Sequence, residues 1–239
     1  NAQVFYIWKT ALPDTAIGKN EFVLEKKRKN FLFRAYYHFI GKYIDYGYLS
    51  DGGNAKYYSH KIIGIIKNFK PNIIHLHNIH GGYFNFERIF KDLKKTNIPI
   101  IFTAHDSWLI TGCCAYFIES QCSKWKTCEC KGCNYLNRYP LQYRDIANRN
   151  YKIKLKTIGQ YKHLYCITCS DYLKNCFENS YLKKAQIKTI HNGIDLNIFN
   201  ENPNGDERIL TKYLGTNYPD FVMAVSEYWI PGKGSEYIS

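Results

Sequence analysis

Residues 72–80 read Asn-Ile-Ile-His-Leu-His-Asn-Ile-His, and residues 99–108 read Pro-Ile-Ile-Phe-Thr-Ala-His-Asp-Ser-Trp. Each stretch contains a short run of β-branched or aromatic residues, which is typical of a buried strand, and turns polar where that strand should end. Apolar residues at helical spacing precede each run, over residues 58–69 and 86–93. Helix followed by strand, twice over, predicts parallel strands joined by right-handed crossovers.

The alternation continues along the chain. A lysine-studded helix over about residues 145–159 precedes a strand at 164–168, and a helix capped by Ser170 precedes a strand at 187–190. The predicted fold class is therefore α/β, with an open, doubly wound parallel sheet. In such sheets ligands bind at the carboxyl ends of the strands. The candidate loops are residues 75–82, 103–111, 168–171 and 191–195.

The two ends of the chain are harder to interpret. Near the start, the sequence predicts a strand at residues 4–8 and a basic, aromatic helix over 21–39. Polar, turn-forming residues at 199–205 predict a connection to a second α/β unit, with a strand at 221–226 and a Pro-Gly-Lys-Gly turn at 231–234. The chain starts with Asn1 and stops inside a predicted helix, so we expect it to be a fragment.

Composition narrows the class of protein. The 239 residues are 45% apolar, enough for one large domain and the start of another. We find neither a membrane-spanning run nor a signal peptide, so the expected location is cytoplasmic. The formal charge of +13 fits an anionic partner, such as an acidic membrane surface, a nucleic acid or a phosphorylated substrate. It fits an ordinary solvated lysine surface equally well.

Two of the strand-end loops carry candidate binding residues. In the first, His77, Asn78 and His80 can hydrogen-bond sugar hydroxyls, while Gly81 and Gly82 let the backbone approach a ligand. The alternative is a turn with incidental polar residues.

The second loop sets His105 beside Asp106 and Trp108. We expect Asp106 to orient His105 or make it more basic, and Trp108 to stack against a sugar ring. The alternative is a histidine that caps a helix.

The cysteines suggest a local structure. Six of the nine fall in one segment: Cys113, Cys114, Cys122, Cys128, Cys130 and Cys133. Their spacing predicts a structural zinc site of Cys114, Cys122, Cys130 and Cys133, with Cys113 and Cys128 as alternates. Disulfides, an iron-sulfur cluster and free thiols remain open. The other three cysteines, Cys166, Cys169 and Cys176, lie in or beside apolar runs and are expected to pack.

Five short motifs occur in the order seen in family 4 glycosyltransferases, which the chain resembles. They are residues 72–78, 105–108, 114–117, 124–126 and the His-Asn-Gly-Ile-Asp of 191–195. The chain is most similar to enzymes that make colanic acid and other bacterial surface polysaccharides. The resemblance runs from about residue 54 to 199 and thinly on to residue 234.

The resemblance implies a GT-B architecture of two Rossmann-like domains. Residues 1–199 would form the acceptor-side domain, with a cysteine-rich insertion at about 112–140, and residues 200–239 would begin the donor-binding domain. It further implies a nucleotide-sugar donor (UDP-, GDP- or dTDP-linked), a glycan or lipid-linked acceptor, transfer with retention, and no catalytic metal. Peripheral contact with the inner face of an anionic membrane is compatible with this chemistry and with the basic charge.

The resemblance also assigns residues. His105 would lie near the transferred sugar with Asp106 beside it, Lys233 and Gly234 would contact the donor diphosphate, and Asn192, Gly193 and Asp195 would bind substrate. Tyr228 stands where many relatives carry a second phosphate-binding arginine. The family's paired glutamates and its glycine-rich first loop fall outside this chain, so the chain alone is expected to be inactive or nearly so.

Two other functions compete with sugar transfer. One is a catalytically dead scaffold of the same fold. The other is a basic zinc module that binds nucleic acid, which ranks lower because the cysteines interrupt an α/β sheet and the aromatic residues are scattered. We therefore expect no nucleic-acid partner. A hydrolase is disfavoured because neither a serine nucleophile elbow nor a close acid pair is present.

Overall fold

The computed structural model describes a large part of the chain in two compact units, residues 1–191 and 192–239. The described residues are 6–8, 21–23, 53–80, 83–117, 121–127, 129–134, 136, 144–199 and 211–212. The predicted linker, the strand at 221–226 and the turn at 231–234 lie outside them, apart from Phe199 at the start of the linker. The predicted domain boundary after residue 199 falls within the second unit and stays a prediction.

A four-stranded parallel sheet forms the centre of the first unit. Its strands, in spatial and chain order, are β3 (Ile74–His77), β4 (Ile100–Ala104), β5 (Leu164–Thr168) and β6 (Gln186–Thr189). This confirms the predicted parallel α/β sheet. Among these four strands the order is sequential, so the reversal that defines a doubly wound sheet is not part of them.

Four helices connect or flank these strands: α1 (Gly53–Phe69), α2 (Phe86–Leu93), α3 (Ala147–Lys156) and α4 (Asp171–Glu178). Helix α2 begins at Asn85, whose side chain accepts a hydrogen bond from the Arg88 backbone N–H at 2.9 Å. Ser170 caps α4 in the same way through the Leu173 N–H, as predicted. Helix α3 is shorter than predicted, and a separate 3₁₀ turn at Ile158–Gln160 follows it.

The start of the chain corrects one prediction. Glu21–Val23 is a strand, β2, which pairs in parallel with β1 (Tyr6–Trp8). The sequence predicted that a helix would begin at Glu21, and that is wrong for these three residues. Phe22 and Val23 favour extended backbone, and a parallel partner outweighs the weak helical pattern of the lysines that follow. The rest of the predicted helix lies outside the described residues.

Aromatic rings from α2 and the segments beside it form the densest part of the core. Phe86 and Phe90 are fully buried and stack at 5.6 Å between ring centroids. Phe84 meets both edge-on, and Tyr161 lies 5.7 Å from Phe90 and donates a hydrogen bond to the Ile98 carbonyl. This cluster fixes the position of β4 relative to α2. No helix among the described residues is both long and apolar enough to cross a bilayer.

We predict that Phe90→Ala lowers the free energy of unfolding by about 3 to 5 kcal/mol, because it leaves a cavity among three aromatic rings. Urea denaturation of the full-length protein measures this. Ile73→Ala is the control: its side chain is 55% exposed, so we expect a change within about 0.5 kcal/mol. Equal losses in the two variants would contradict the described core.

Candidate functional site

The register of β3 and β4 places a row of imidazoles at the carboxyl edge of the sheet. His77 lies opposite Thr103 in the ladder. On the exposed side of β3, the His75 and His77 rings are 4.2 Å apart, and His75 Nε2 hydrogen-bonds the Thr103 hydroxyl at 2.8 Å. His75, which the sequence analysis did not select, therefore belongs to the same polar surface as His77.

His77 and His105 meet across the two strand-end loops. His77 Nδ1 lies 3.3 Å from His105 Nε2, and the rings stack at 5.7 Å. Partial burial lowers the pKa of His77, and the nearby His75 and His105 lower it further because two adjacent imidazolium ions repel. Burial also lowers the pKa of His75. At neutral pH these two rings are neutral, so each can donate and accept a hydrogen bond.

Asp106 pairs with His80 rather than orienting His105. The distance from Asp106 Oδ2 to His80 Nε2 is 3.2 Å, and the two side chains are only 11% and 10% exposed. The other carboxylate oxygen accepts a hydrogen bond from the Trp108 N–H at 2.8 Å, at the start of a 3₁₀ turn, Trp108–Ile110. Asp106 lies in the loop after β4, but its partner His80 lies in the loop after β3.

Asn78 gives the first loop its turn. Its φ is +41°, a left-handed conformation that asparagine tolerates better than most residues, and its carbonyl accepts a hydrogen bond from the Tyr83 hydroxyl at 3.4 Å. Asn78 is exposed beside His77. Gly81 and Gly82 lie outside the described residues.

Trp108 packs in the core, whereas its sequence context predicted that it would stack on a sugar. Its side chain is 6% exposed, with Phe86 at 5.8 Å and His80 at 5.4 Å between ring centroids. The Lys154 amine lies 3.5 Å from the centre of its ring. The indole therefore supports the loop of residues 105–107 from the core side.

Lys154 is a buried support that the sequence analysis missed. It is fully buried on α3 and donates hydrogen bonds to the Trp108 and Thr111 carbonyls, the second at 3.0 Å. Burial lowers its pKa to about 7, although three nearby thiols and the Asp106 carboxylate favour the charged form. A signal was present in the sequence: Lys154 lies at helical spacing from Ala147 and Tyr151, which are both buried.

The cysteine-rich insertion folds onto this support. Cys113 and Cys130 are buried, and Cys113 Sγ lies 3.8 Å from Cys133 Sγ. As the side chains stand, no three histidine, cysteine or acidic residues among those described are placed to hold a metal. The predicted ligands Cys114, Cys122, Cys130 and Cys133 nevertheless line one cavity with Cys113. Cys128 lies outside the described residues.

The loop of residues 191–195 straddles the two compact units. His191 Nδ1 lies 3.1 Å from the Cys169 carbonyl, so the loops after β5 and β6 are joined. In the second unit, Asn192 and Gly193 are exposed, and Asp195 opens a single turn in which its side chain accepts a hydrogen bond from the Asn197 N–H at 2.9 Å. Lys233, Gly234 and Tyr228 lie outside the described residues.

Comparison with known proteins gives the site a context. A model of glycosyltransferase family 4 matches residues 25–198. The "Putative colanic acid biosynthesis glycosyl transferase WcaC" of Escherichia coli (strain K12) is 29% identical over 139 residues, which is 55% of this chain and 33% of that protein. The chain thus spans about a third of the length of the curated relative it matches. No solved structure matches.

We predict that His77 titrates below the ordinary histidine value of about 6.5 in the folded protein. Because the unfolded state binds this proton more readily, the free energy of unfolding falls as the pH drops from about 6.5 toward the lowered pKa. Two-dimensional NMR of the imidazole protons across this range measures the pKa of His77.

His105→Gln should raise the pKa of His77, because one of the repelling charges is gone. His60→Gln is the matched control, since that exposed histidine is on α1 and its ring contacts Arg88. A His77 pKa that is unchanged by both substitutions would contradict the described contact.

Proposed function

Because the chain belongs to glycosyltransferase family 4, we propose that the full-length protein transfers a sugar from a nucleotide-sugar donor to a glycan or lipid-linked acceptor. The proposed product is a bacterial surface polysaccharide, a class supported by the colanic acid relative. The bond from the anomeric carbon to the donor diphosphate breaks, and the acceptor oxygen bonds to that carbon with the same configuration. The hydroxyl proton leaves with the nucleoside diphosphate. The donor nucleotide is UDP, GDP or dTDP, and the proposed chemistry uses no catalytic metal.

One observation carries the proposal: the imidazoles of His77 and His105, 3.3 Å apart, are exposed at the carboxyl edge of a parallel sheet. This edge is where open α/β sheets bind ligands. The neutral His77 ring suits a sugar hydroxyl because it can donate one hydrogen bond and accept another. Asn78 adds an exposed amide in the same loop.

His105 is the proposed catalytic residue, beside the sugar as it moves from donor to acceptor. The His80–Asp106 pair is nearly buried and shapes the loop that carries His105. We therefore propose that Asp106 and His80 are positioning residues rather than groups that touch the reacting atoms. Trp108 has the same supporting role, since its ring is covered by Phe86 and Lys154.

The donor side of the proposal rests on the family. Lys233 and Gly234 would bind the diphosphate, because a lysine beside a turn and a helix N-terminus stabilises the charge that grows on a departing nucleoside diphosphate. Asn192, Gly193 and Asp195 are also proposed to bind substrate. With Tyr228 in place of the usual arginine, the second phosphate contact would be absent or come from another residue.

We predict that the full-length protein releases nucleoside diphosphate from one donor in a panel of UDP-, GDP- and dTDP-sugars. His105→Ala and Lys233→Ala should each lower kcat/KM by about 100-fold or more, because each removes stabilisation of the transition state. His60→Ala and Lys212→Ala, which change residues outside the proposed site, should keep the rate of the unaltered protein.

Silence across the whole panel, with no nucleotide raising the melting temperature, would overturn the enzymatic proposal. The chain would then be a scaffold with the fold of the family but without its chemistry. Release that survives both His105→Ala and Lys233→Ala would instead overturn the residue assignments and leave the transfer reaction standing.

We further predict that the full-length protein sediments with vesicles containing anionic lipid at low salt. The basic charge of this chain attracts such a surface, and salt screens the attraction. Vesicles of neutral lipid are the control. Equal recovery with both kinds of vesicle, or none with either, would contradict peripheral association with an anionic inner membrane face.

A further inference from the structure

The cysteine-rich insertion encloses a cavity of about 320 Å³ next to the support of the proposed active site. Five thiol side chains line it: Cys113, Cys114, Cys122, Cys130 and Cys133. They come from three separate stretches of the chain, so only the tertiary fold brings them together. Thiolates are soft ligands, and four of them are typical of a structural zinc site.

One distance matches the geometry of such a site. Cys113 Sγ and Cys133 Sγ are 3.8 Å apart. Tetrahedral zinc with Zn–S bonds of about 2.3 Å requires neighbouring sulfurs to be about 3.8 Å apart. Cys130 and Cys133 have the two-residue spacing of zinc knuckles, and the Cys130 sulfur accepts a hydrogen bond from the Gly112 N–H at 3.2 Å. Backbone N–H donors of this kind stabilise a negatively charged sulfur.

The backbone that carries the thiols is already fixed on both sides of the cavity. The Trp125 indole donates to the Cys122 carbonyl at 2.8 Å, and the Cys133 N–H donates to Asp145 at 3.0 Å. Lys124 Nζ donates to the Lys131 and Gly132 carbonyls, which closes the turn between Cys130 and Cys133. Gly112 is required by close approach, because a Cβ there would be 2.3 Å from the Ala147 carbonyl oxygen.

A buried amine lies near these thiols and opposes part of the cost of ionising them in a buried place. The Lys154 amine is fully buried and lies within electrostatic range of Cys113, Cys114 and Cys130. A metal bound by four thiolates carries a net charge of about −2, so a buried cation beside it offsets part of the cost of burying that charge. Asp106 is the other acidic group that acts on Lys154, and it is shared with His80.

We propose that Cys122, Cys130, Cys133 and one thiol of the adjacent Cys113–Cys114 pair bind a single zinc ion. Each thiol loses its proton to solvent as its sulfur bonds to the metal, so four protons leave for one zinc. Binding requires some of these side chains to rotate, because no three of the described ligand side chains already surround one point. With four thiolates the zinc has no open position, so it is structural.

The zinc would stabilise the loop that follows β4. Thr111 accepts a hydrogen bond from Lys154 through its carbonyl, and the insertion starts at the next residue. Holding the insertion in place therefore also holds Lys154, the Trp108 carbonyl and the loop of His105. This inference does not depend on the proposed sugar transfer, and its test reads the metal directly.

The test is metal analysis of the full-length protein purified under reducing conditions. We expect about one zinc per chain, with sulfur neighbours at about 2.3 Å in X-ray absorption at the zinc edge. Cys130→Ser and Cys133→Ser should each lose most of the zinc, and so should the double variant Cys113→Ser/Cys114→Ser. The matched control is Cys169→Ser, a partly buried cysteine outside the cavity, which should keep its zinc.

Because some variants can fail to fold, the unaltered protein provides a second measurement. Replacing its metal with Co²⁺ should give the intense sulfur-to-metal absorption of thiolate ligands, and added zinc should abolish it. Zinc well below one per chain, bound iron, nitrogen or oxygen neighbours in place of sulfur, or zinc loss in Cys169→Ser equal to that in Cys130→Ser would each overturn the proposal.

Discussion

Parallel pairing in one register sets His77 opposite Thr103, and the polar site depends on that pairing. Both strands run in the same direction, so their loops leave the sheet at the same edge. Two imidazoles that are 28 residues apart in the sequence therefore meet at 3.3 Å. A register shift of two residues would move them about 6.6 Å along the strands, which no side-chain rotation of an imidazole could recover.

His77 and His105 are exposed in the loops at this edge, but buried side chains hold the loop of His105 from the core side. Lys154 crosses from α3 to bond the Trp108 and Thr111 carbonyls, one at each end of the 3₁₀ turn. Burying an amine is costly, and two carbonyls, an indole face and the Asp106 carboxylate offset that cost. These contacts fix the loop that carries His105, which the proposed site requires.

Sequence periodicity was enough to predict the helix–strand alternation, the capping residue Ser170 and the edge where the histidines gather. It failed where side chains from distant segments meet. The pairing of Asp106 with His80 and the burial of Trp108 both arise from tertiary contacts, which no local pattern encodes. Lys154 was missed because a lysine on a lysine-rich helix resembles a surface residue, although its place on an apolar stripe indicated burial. At Glu21, a parallel partner outweighed local helical propensity.

Asp106 links His80 in the loop after β3 to the 3₁₀ turn that begins at Trp108. One carboxylate oxygen pairs with His80, the other receives the Trp108 N–H, and its charge also acts on Lys154. The cysteine-rich insertion acts on the same lysine through Cys113, Cys114 and Cys130. A displacement of the insertion would therefore move Lys154, then the carbonyls it holds, and finally the loop of His105. Since misplacing a reacting group by about 1 Å can lower a rate about 100-fold, the position of the insertion bears on the proposed chemistry.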